Sequence, residues 1–146
     1  MADEEEILAG NFKALNIIQS AFVAGLLIFS GVTYTLVKPE QCRFSWTDPL
    51  TIILSIVTLG GLGVGYFIFN QTIKENLAED DLDKKLANYR IAFFRRSALL
   101  EGPALMSIIF VMTSNCYDYY LFTGICLMGF ASGWITLTKM RSHLNF

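Results

Sequence analysis

Charged residues are scarce in this chain. Only 16% of its 146 residues are Asp, Glu, Lys or Arg, whereas 53% are hydrophobic. A soluble domain carries about 25% charged residues, so the deficit indicates that lipid is the surrounding solvent. The net charge of -2 is small and gives no reason to expect a nucleic-acid partner.

Histidine and cysteine are rare as well. His143 is the only histidine, and the three cysteines form no CxxC motif and no His/Cys cluster, so we expect neither a metal site nor a cofactor. There is no Ser/His/Asp set, and we expect that the protein is not an enzyme. Cys42 and Cys116 can form a disulfide if their compartment is oxidising. Two free, half-buried thiols are the alternative.

Long apolar stretches are what the chain does contain. Four of them are long enough to cross a hydrocarbon layer of about 30 Å. We therefore predict an all-α fold, a four-helix transmembrane bundle that forms a single membrane domain over residues 1–146. The spans cover residues 12–37, 49–71, 96–114 and 117–138. The acidic residues from Asp3 to Glu6 have the wrong sign for a signal peptide, so the first span is expected to remain in place.

One sizeable polar segment, residues 79–95, separates the second and third spans. Four apolar residues repeat in it at helical spacing: Leu82, Leu86, Tyr89 and Phe93. We predict a cytoplasmic amphipathic helix that continues without a break into the third span. Such a helix can lie on lipid headgroups, dock a partner or cover the inner mouth of the bundle. A solvated extension with one packed face is the simpler alternative.

The basic residues are distributed unevenly between the two sides of the predicted bundle. Nine lie on the side of the termini and the central loop: Lys13, Lys74, Lys84, Lys85, Arg90, Arg95, Arg96, Lys139 and Arg141. The opposite side holds only Lys38 and Arg43. This bias predicts a multi-pass inner-membrane protein with both termini in the cytoplasm. Arg95 and Arg96 are expected to extend to the lipid headgroups.

The two halves of the chain share a pattern of small residues. The first and third spans each contain Ser-Ala-x-x-x-Gly, and the second and fourth each contain Gly-x-small-x-Gly-aromatic. The small residues are Ala21, Gly25, Gly61, Gly65, Ala98, Gly102, Gly129 and Gly133. Small residues four apart let helix backbones approach closely in lipid. The register predicts two tandem helical hairpins, an internal repeat about an axis along the membrane normal.

Glu101 is an acid inside a predicted span, where a carboxylate is costly and is commonly functional. Its counterpart in the first half is Ala24, so packing does not require it. It lies about 7 to 8 Å along the helix from Arg96, at a depth where Tyr66 and Trp134 can donate hydrogen bonds. We therefore predict a proton or cation site at Glu101, Tyr66 and Trp134. The alternative is a protonated or hydrogen-bonded Glu101 that fixes helix register.

Two resemblances follow from these residues. The stretch ALLEGPALMSIIFVMTSN, residues 98–115, resembles a family of small four-span membrane proteins common in Bacteroidota, which implies a bacterial inner membrane and no particular activity.

A glycine-rich helix, a polar loop and then Glu101 with Pro103 resemble the proteolipid c subunits of rotary ATPases. That resemblance implies that Glu101 carries a proton or sodium ion. It also implies that the glycines let helices pack in a ring: Gly60, Gly61, Gly63 and Gly65.

The sequence thus supports two functions. The first is a non-enzymatic scaffold or accessory subunit in the lipid bilayer, which packs through its small-residue faces as a homo-oligomer or as part of a larger membrane complex. The alternative is a proton- or cation-translocating element that uses Glu101.

Overall fold

A computed structural model describes residues 2–38, 45–76 and 81–144, with side chains from residue 5 onward. Over these ranges the chain forms five α-helices and no strand, so the all-α fold class is confirmed. The helices are α1 (Ala2–Leu36), α2 (Pro49–Asn76), α3 (Leu82–Ser114), α4 (Tyr120–Ser132) and α5 (Leu137–Leu144), and a short 3-10 turn (Tyr117–Tyr119) precedes α4.

Three of these helices, α1, α2 and α3, are long and apolar enough to cross a membrane. A fourth crossing exists only if the 3-10 turn, α4 and α5 count as one broken span, which bends by 67°. The structure therefore divides the fourth predicted span, residues 117–138, because α4 ends at Ser132 and the chain turns before α5 begins.

The side chain of Gln19 stabilises this break. Gln19 lies on α1 and is 2% exposed. Its amide nitrogen donates to the carbonyl oxygen of Phe130 (3.2 Å), and its amide oxygen accepts from the backbone N–H of Ile135 (3.3 Å). The last carbonyls of a helix have no partner within that helix, so one glutamine supplies partners on both sides of the turn.

The central helix of the fold is α3, which packs against α1, α2 and α4. It runs without a break from the polar segment into the third span, as predicted. Leu86, Tyr89 and Phe93, three members of the predicted apolar stripe, are at most 4% exposed. They share a buried cluster with Leu15, Phe69, Met140 and Leu144. This stripe therefore packs over the end of the bundle where α5 also lies.

Gly61 marks the close contact between α2 and α3. A Cβ atom at this position would overlap with the carbonyl oxygen of Leu99 and would lie 3.3 Å from Pro103 Cγ. Pro103 has no N–H, so it cannot form the helical hydrogen bond to the carbonyl of Leu99. The missing side chain of Gly61 lets α2 pack directly against this released carbonyl.

The other predicted packing residues divide into two groups. Gly65 and Gly129 are buried, and a Cβ atom at either position would contact a neighbouring helix. Four are exposed and do not pack within the described chain: Ala21, Gly25, Ala98 and Gly102. The tandem repeat stays a prediction, since α2 continues well beyond Gly65 to Asn76, whereas α4 ends before Gly133.

Three tyrosine hydroxyls hold together the end of the bundle around the 3-10 turn, which we call the loop end. The bonds run from Tyr117 to the Val37 carbonyl (2.6 Å), from Tyr119 to Asp48 Oδ2 (2.7 Å) and from Tyr120 to the Ser30 carbonyl (2.9 Å).

Cys116 lies at the loop end and is disulfide-bonded. Its predicted partner, Cys42, lies outside the described residues, so that pairing stays a prediction. Cys126 is a free, buried cysteine.

Candidate functional site

The opposite end of the bundle, where α5 packs against α1 and α2, is called the charged end below. Its central side chain is Arg96 of α3, which points inward. Arg96 donates from Nη2 to the carbonyl oxygen of Gly129 (3.2 Å). Its guanidinium carbon lies 5.4 Å from the ring centre of Phe69 and 5.8 Å from that of Tyr66, which is within the range of cation–π attraction. The predicted extension of Arg96 to the headgroups is therefore not what the structure shows.

Gly133, at the break between α4 and α5, leaves the space that Arg96 occupies. A Cβ atom at residue 133 would overlap with the guanidinium group. This glycine was predicted to bring two helix backbones together. Its observed role is to accommodate an arginine side chain from another helix.

A cavity of about 170 Å³ opens beside Arg96, between α2, α3 and the break. Much of its wall is aromatic, from Tyr66, Phe69, Tyr89, Phe93 and Trp134. Lys139 and His143 of α5 contribute the remaining basic groups, and no Asp or Glu is among the described residues that line it. The cavity thus combines positive charge with a largely aromatic wall.

Two polar groups in the cavity wall have no partner within the described ranges. The Tyr89 side chain is 1% exposed, and no hydrogen bond from its hydroxyl exists among the described residues. The Nδ1 atom of His143 is buried and also unpaired there, with its ring centre 6.0 Å from that of Tyr89. Buried polar groups are nearly always hydrogen-bonded, so the Nδ1 atom of His143 can accept or donate to a ligand in the cavity, and the Tyr89 hydroxyl beside it is a second donor unused by the described residues.

The predicted ion-binding residues do not meet at one place. Tyr66 and Trp134 line the cavity at the charged end, but Glu101 does not. Glu101 is half-buried on α3, and it forms no hydrogen bond or ion pair with a described residue. Its neighbours Ala98 and Gly102 are exposed on the same outer side of the helix. The role of Glu101 in ion binding stays a prediction.

Sequence reasoning missed Arg96, Lys139 and His143 as cavity residues. A usable signal existed for Arg96, because it follows Tyr89 by seven residues and Phe93 by three, which places all three on one helical face. Nothing comparable marked Lys139 and His143, since their position depends on the turn after α4. Within the described ranges, no group of three His, Cys, Asp or Glu residues could hold a metal ion.

Comparison of the chain with protein-family models, with curated proteins and with solved structures gave no significant match. Both resemblances drawn from the sequence therefore stay predictions.

Proposed function

We propose that the protein is a non-enzymatic membrane scaffold or accessory subunit that binds another membrane helix, first of all a second copy of itself, through the outer face of α3. The observation that carries this proposal is an unpaired carboxyl group, Glu101, between two exposed small residues.

The carboxyl group of Glu101 needs a partner from outside the fold. An ionisable side chain within a span nearly always pairs with another group or faces water. Glu101 has neither a hydrogen bond nor an ion pair to any described residue, and its half-buried position limits its access to solvent. A donor on a neighbouring helix would satisfy it.

The residues around Glu101 allow such a helix to come close. Ala98 and Gly102 are exposed, and a Cβ atom on Gly102 would meet nothing within 4 Å. Two small residues four apart on one face form the pattern that permits close backbone approach in lipid. α1 presents Ala21 and Gly25, also exposed, as a second face of the same kind.

Cysteine cross-linking in native membranes tests this proposal. Ala98→Cys and Gly102→Cys should form disulfide-linked dimers on mild oxidation. Met128→Cys, which is 73% exposed on α4, is the matched control, and the unmodified chain gives the background from the native thiols. Equal dimer yields at residues 102 and 128 would rule out a specific α3 interface, whereas cross-links only to larger species would indicate a hetero-complex.

A proton- or cation-translocating element is the second candidate, supported by the same unpaired carboxyl group. Liposomes that contain the protein should then show proton or sodium flux, and a carbodiimide should label Glu101. Both signals should vanish in Glu101→Gln. Absence of flux and labelling in the unsubstituted protein would remove this candidate.

We further propose a multi-pass protein of the inner membrane with both termini in the cytoplasm. The support is the nine-to-two distribution of basic residues in the sequence, because positive loops remain cytoplasmic. A reporter enzyme that is active only outside the cytoplasm should be inactive when fused after Phe146. Activity of that fusion would reverse the orientation.

A further inference from the structure

We propose that the cavity beside Arg96 binds one phosphate group, and that its source is the headgroup of an anionic phospholipid. This inference goes beyond the scaffold proposal and does not depend on it. Arg96 and Glu101 are five residues apart, about 140° around the helix, so the cavity and the outer face of α3 are separate surfaces.

The charge of the cavity selects an anion. Arg96 has five N–H donors, but it makes one hydrogen bond among the described residues, to Gly129. Lys139 lines the same cavity, and its ammonium group donates to the carbonyl of Trp134 at 3.4 Å. No described carboxylate lines the cavity to neutralise either cation. Several directed donors around a positive centre fit the oxygens of a phosphate group.

Tyr89 gives an independent indication of a ligand. Its side chain is 1% exposed and lines the cavity, yet its hydroxyl has no hydrogen-bond partner in the described part of the chain. The unpaired Nδ1 of His143 lies on the same wall. The Tyr89 hydroxyl therefore faces the cavity as a donor that a phosphate oxygen can accept from, beside a buried, unpaired ring nitrogen.

A neighbouring groove favours a lipid over free phosphate. It has a volume of about 370 Å³, and its wall includes Gly63 and Phe67 on the outer side of α2. It shares Tyr66 and Asn70 with the cavity. Nothing lies within 4 Å of a Cβ atom on Gly63. An acyl chain attached to a phosphate in the cavity can therefore leave over Tyr66 and lie along this groove. Basic pockets at the cytoplasmic ends of membrane helices are known to take lipid headgroups.

The fluorescence of Trp134 provides a binding signal inside the cavity. The chain has two tryptophans, and Trp46 is 66% exposed, so Trp46→Phe leaves Trp134 as the single emitter. The purified full-length protein in non-ionic detergent is titrated with short-chain phosphatidylglycerol. Parallel titrations use the uncharged analogue diacylglycerol and inorganic phosphate.

Phosphatidylglycerol should bind saturably, with a Kd at least tenfold higher in Arg96→Gln and several-fold higher in Lys139→Gln. Arg95→Gln is the matched control, because it removes the same charge from an exposed neighbour and should change the Kd by less than twofold. Lys139 is exposed on α5, so Lys139→Gln keeps the test valid if Arg96→Gln fails to fold.

Inorganic phosphate should bind more weakly than the lipid if the lipid is the natural ligand. Equal affinities, with the same dependence on Arg96 and Lys139, would show that the cavity binds phosphate but that the phosphate does not come from a lipid. Equal losses in Arg95→Gln and Arg96→Gln, equal binding of diacylglycerol, or no saturable binding would overturn the whole proposal. Cross-linking at residue 102 should be unchanged in Lys139→Gln, so failure here is distinguishable from failure of the scaffold proposal.

Discussion

The two ends of the bundle satisfy their polar groups in different ways. At the loop end, the hydroxyls of Tyr117, Tyr119 and Tyr120 each donate to an acceptor on α1, directly after α1 or directly before α2. At the charged end, the hydroxyl of Tyr89 and the Nδ1 atom of His143 have no such partner in the described chain. The three tyrosine hydroxyls at the loop end are all paired, although the buried hydroxyls of Ser30 and Thr51 have no partner among the described residues. The charged end differs in having a cavity beside its unpaired groups.

This difference indicates that the loop end mainly stabilises the fold, whereas the charged end is suited to binding a ligand. Polar groups in lipid must be satisfied within the protein or by a ligand. The tyrosines at the loop end add stability without leaving capacity for a ligand. The charged end gives up some of that stability, which is the usual cost of a preformed binding site.

Gln19→Leu should have the largest effect, because it removes the partners of Phe130 and Ile135 at the charged end. Each buried backbone group left unpaired costs about 1–3 kcal/mol, so we expect a loss of about 2–4 kcal/mol in the free energy of unfolding, measured by denaturant titration in mixed micelles. Gln71→Leu, at an exposed glutamine of α2, is the control and should change it by about 0.5 kcal/mol or less. Similar losses in both variants would show that the Gln19 bridge does not hold the break.

Gly61→Ala tests the close contact between α2 and α3, which connects the two ends of the bundle. The new methyl group would overlap with the backbone carbonyl of Leu99, which cannot rotate away, and overpacking of this kind costs about 1–3 kcal/mol. Gly63→Ala, two residues further on with open space around it, should be neutral or slightly stabilising. The same denaturant titration applies, and a neutral Gly61→Ala would contradict the close approach of α2 and α3.

Tyr117→Phe measures what one hydroxyl contributes at the loop end. It removes the hydrogen bond to the Val37 carbonyl (2.6 Å), and we expect a loss of about 1 kcal/mol in thermal or denaturant unfolding. Tyr66→Phe is the counterpart at the charged end, where the hydroxyl is in a residue that is 59% exposed and should matter little to stability. A larger effect at Tyr66 would reverse the comparison of the two ends.

Gly133→Ala should have the smallest effect on stability and a clear effect on the cavity. The new methyl group displaces only the end of the flexible Arg96 side chain, at a cost of about 1 kcal/mol or less. The fluorescence of Trp134 and the affinity for phosphatidylglycerol should nevertheless change, because the guanidinium group moves. Gly25→Ala, which meets nothing within 4 Å, should alter neither signal.

The three long apolar helices and the path of α3 could be predicted because they depend on local properties of the chain. A long apolar stretch indicates a helix wherever it lies, and the spacing of Leu86, Tyr89 and Phe93 already identifies the face that the structure buries. The all-helical class and the continuation of the polar segment into the third span follow from these two signals.

The break after Ser132 could not be predicted, because its cause is distant in sequence. Residues 133–138 continue the apolar stretch without a proline, so local signals favour one helix. The amide of Gln19, more than 100 residues away, stabilises the break because it forms hydrogen bonds with backbone groups on both sides of it. The cavity was missed for the same reason, since it needs the break, the inward Arg96 and the space at Gly133 together.

The break also shortens one wall of the bundle. From Tyr117 to Ser132 the chain rises about 25 Å, less than the roughly 30 Å of a typical hydrocarbon layer, whereas α1, α2 and α3 each exceed that thickness. If this segment crosses the bilayer, the hydrocarbon layer beside α4 would have to thin to match it. The chain should accordingly partition into thinner bilayers in preference to thicker ones.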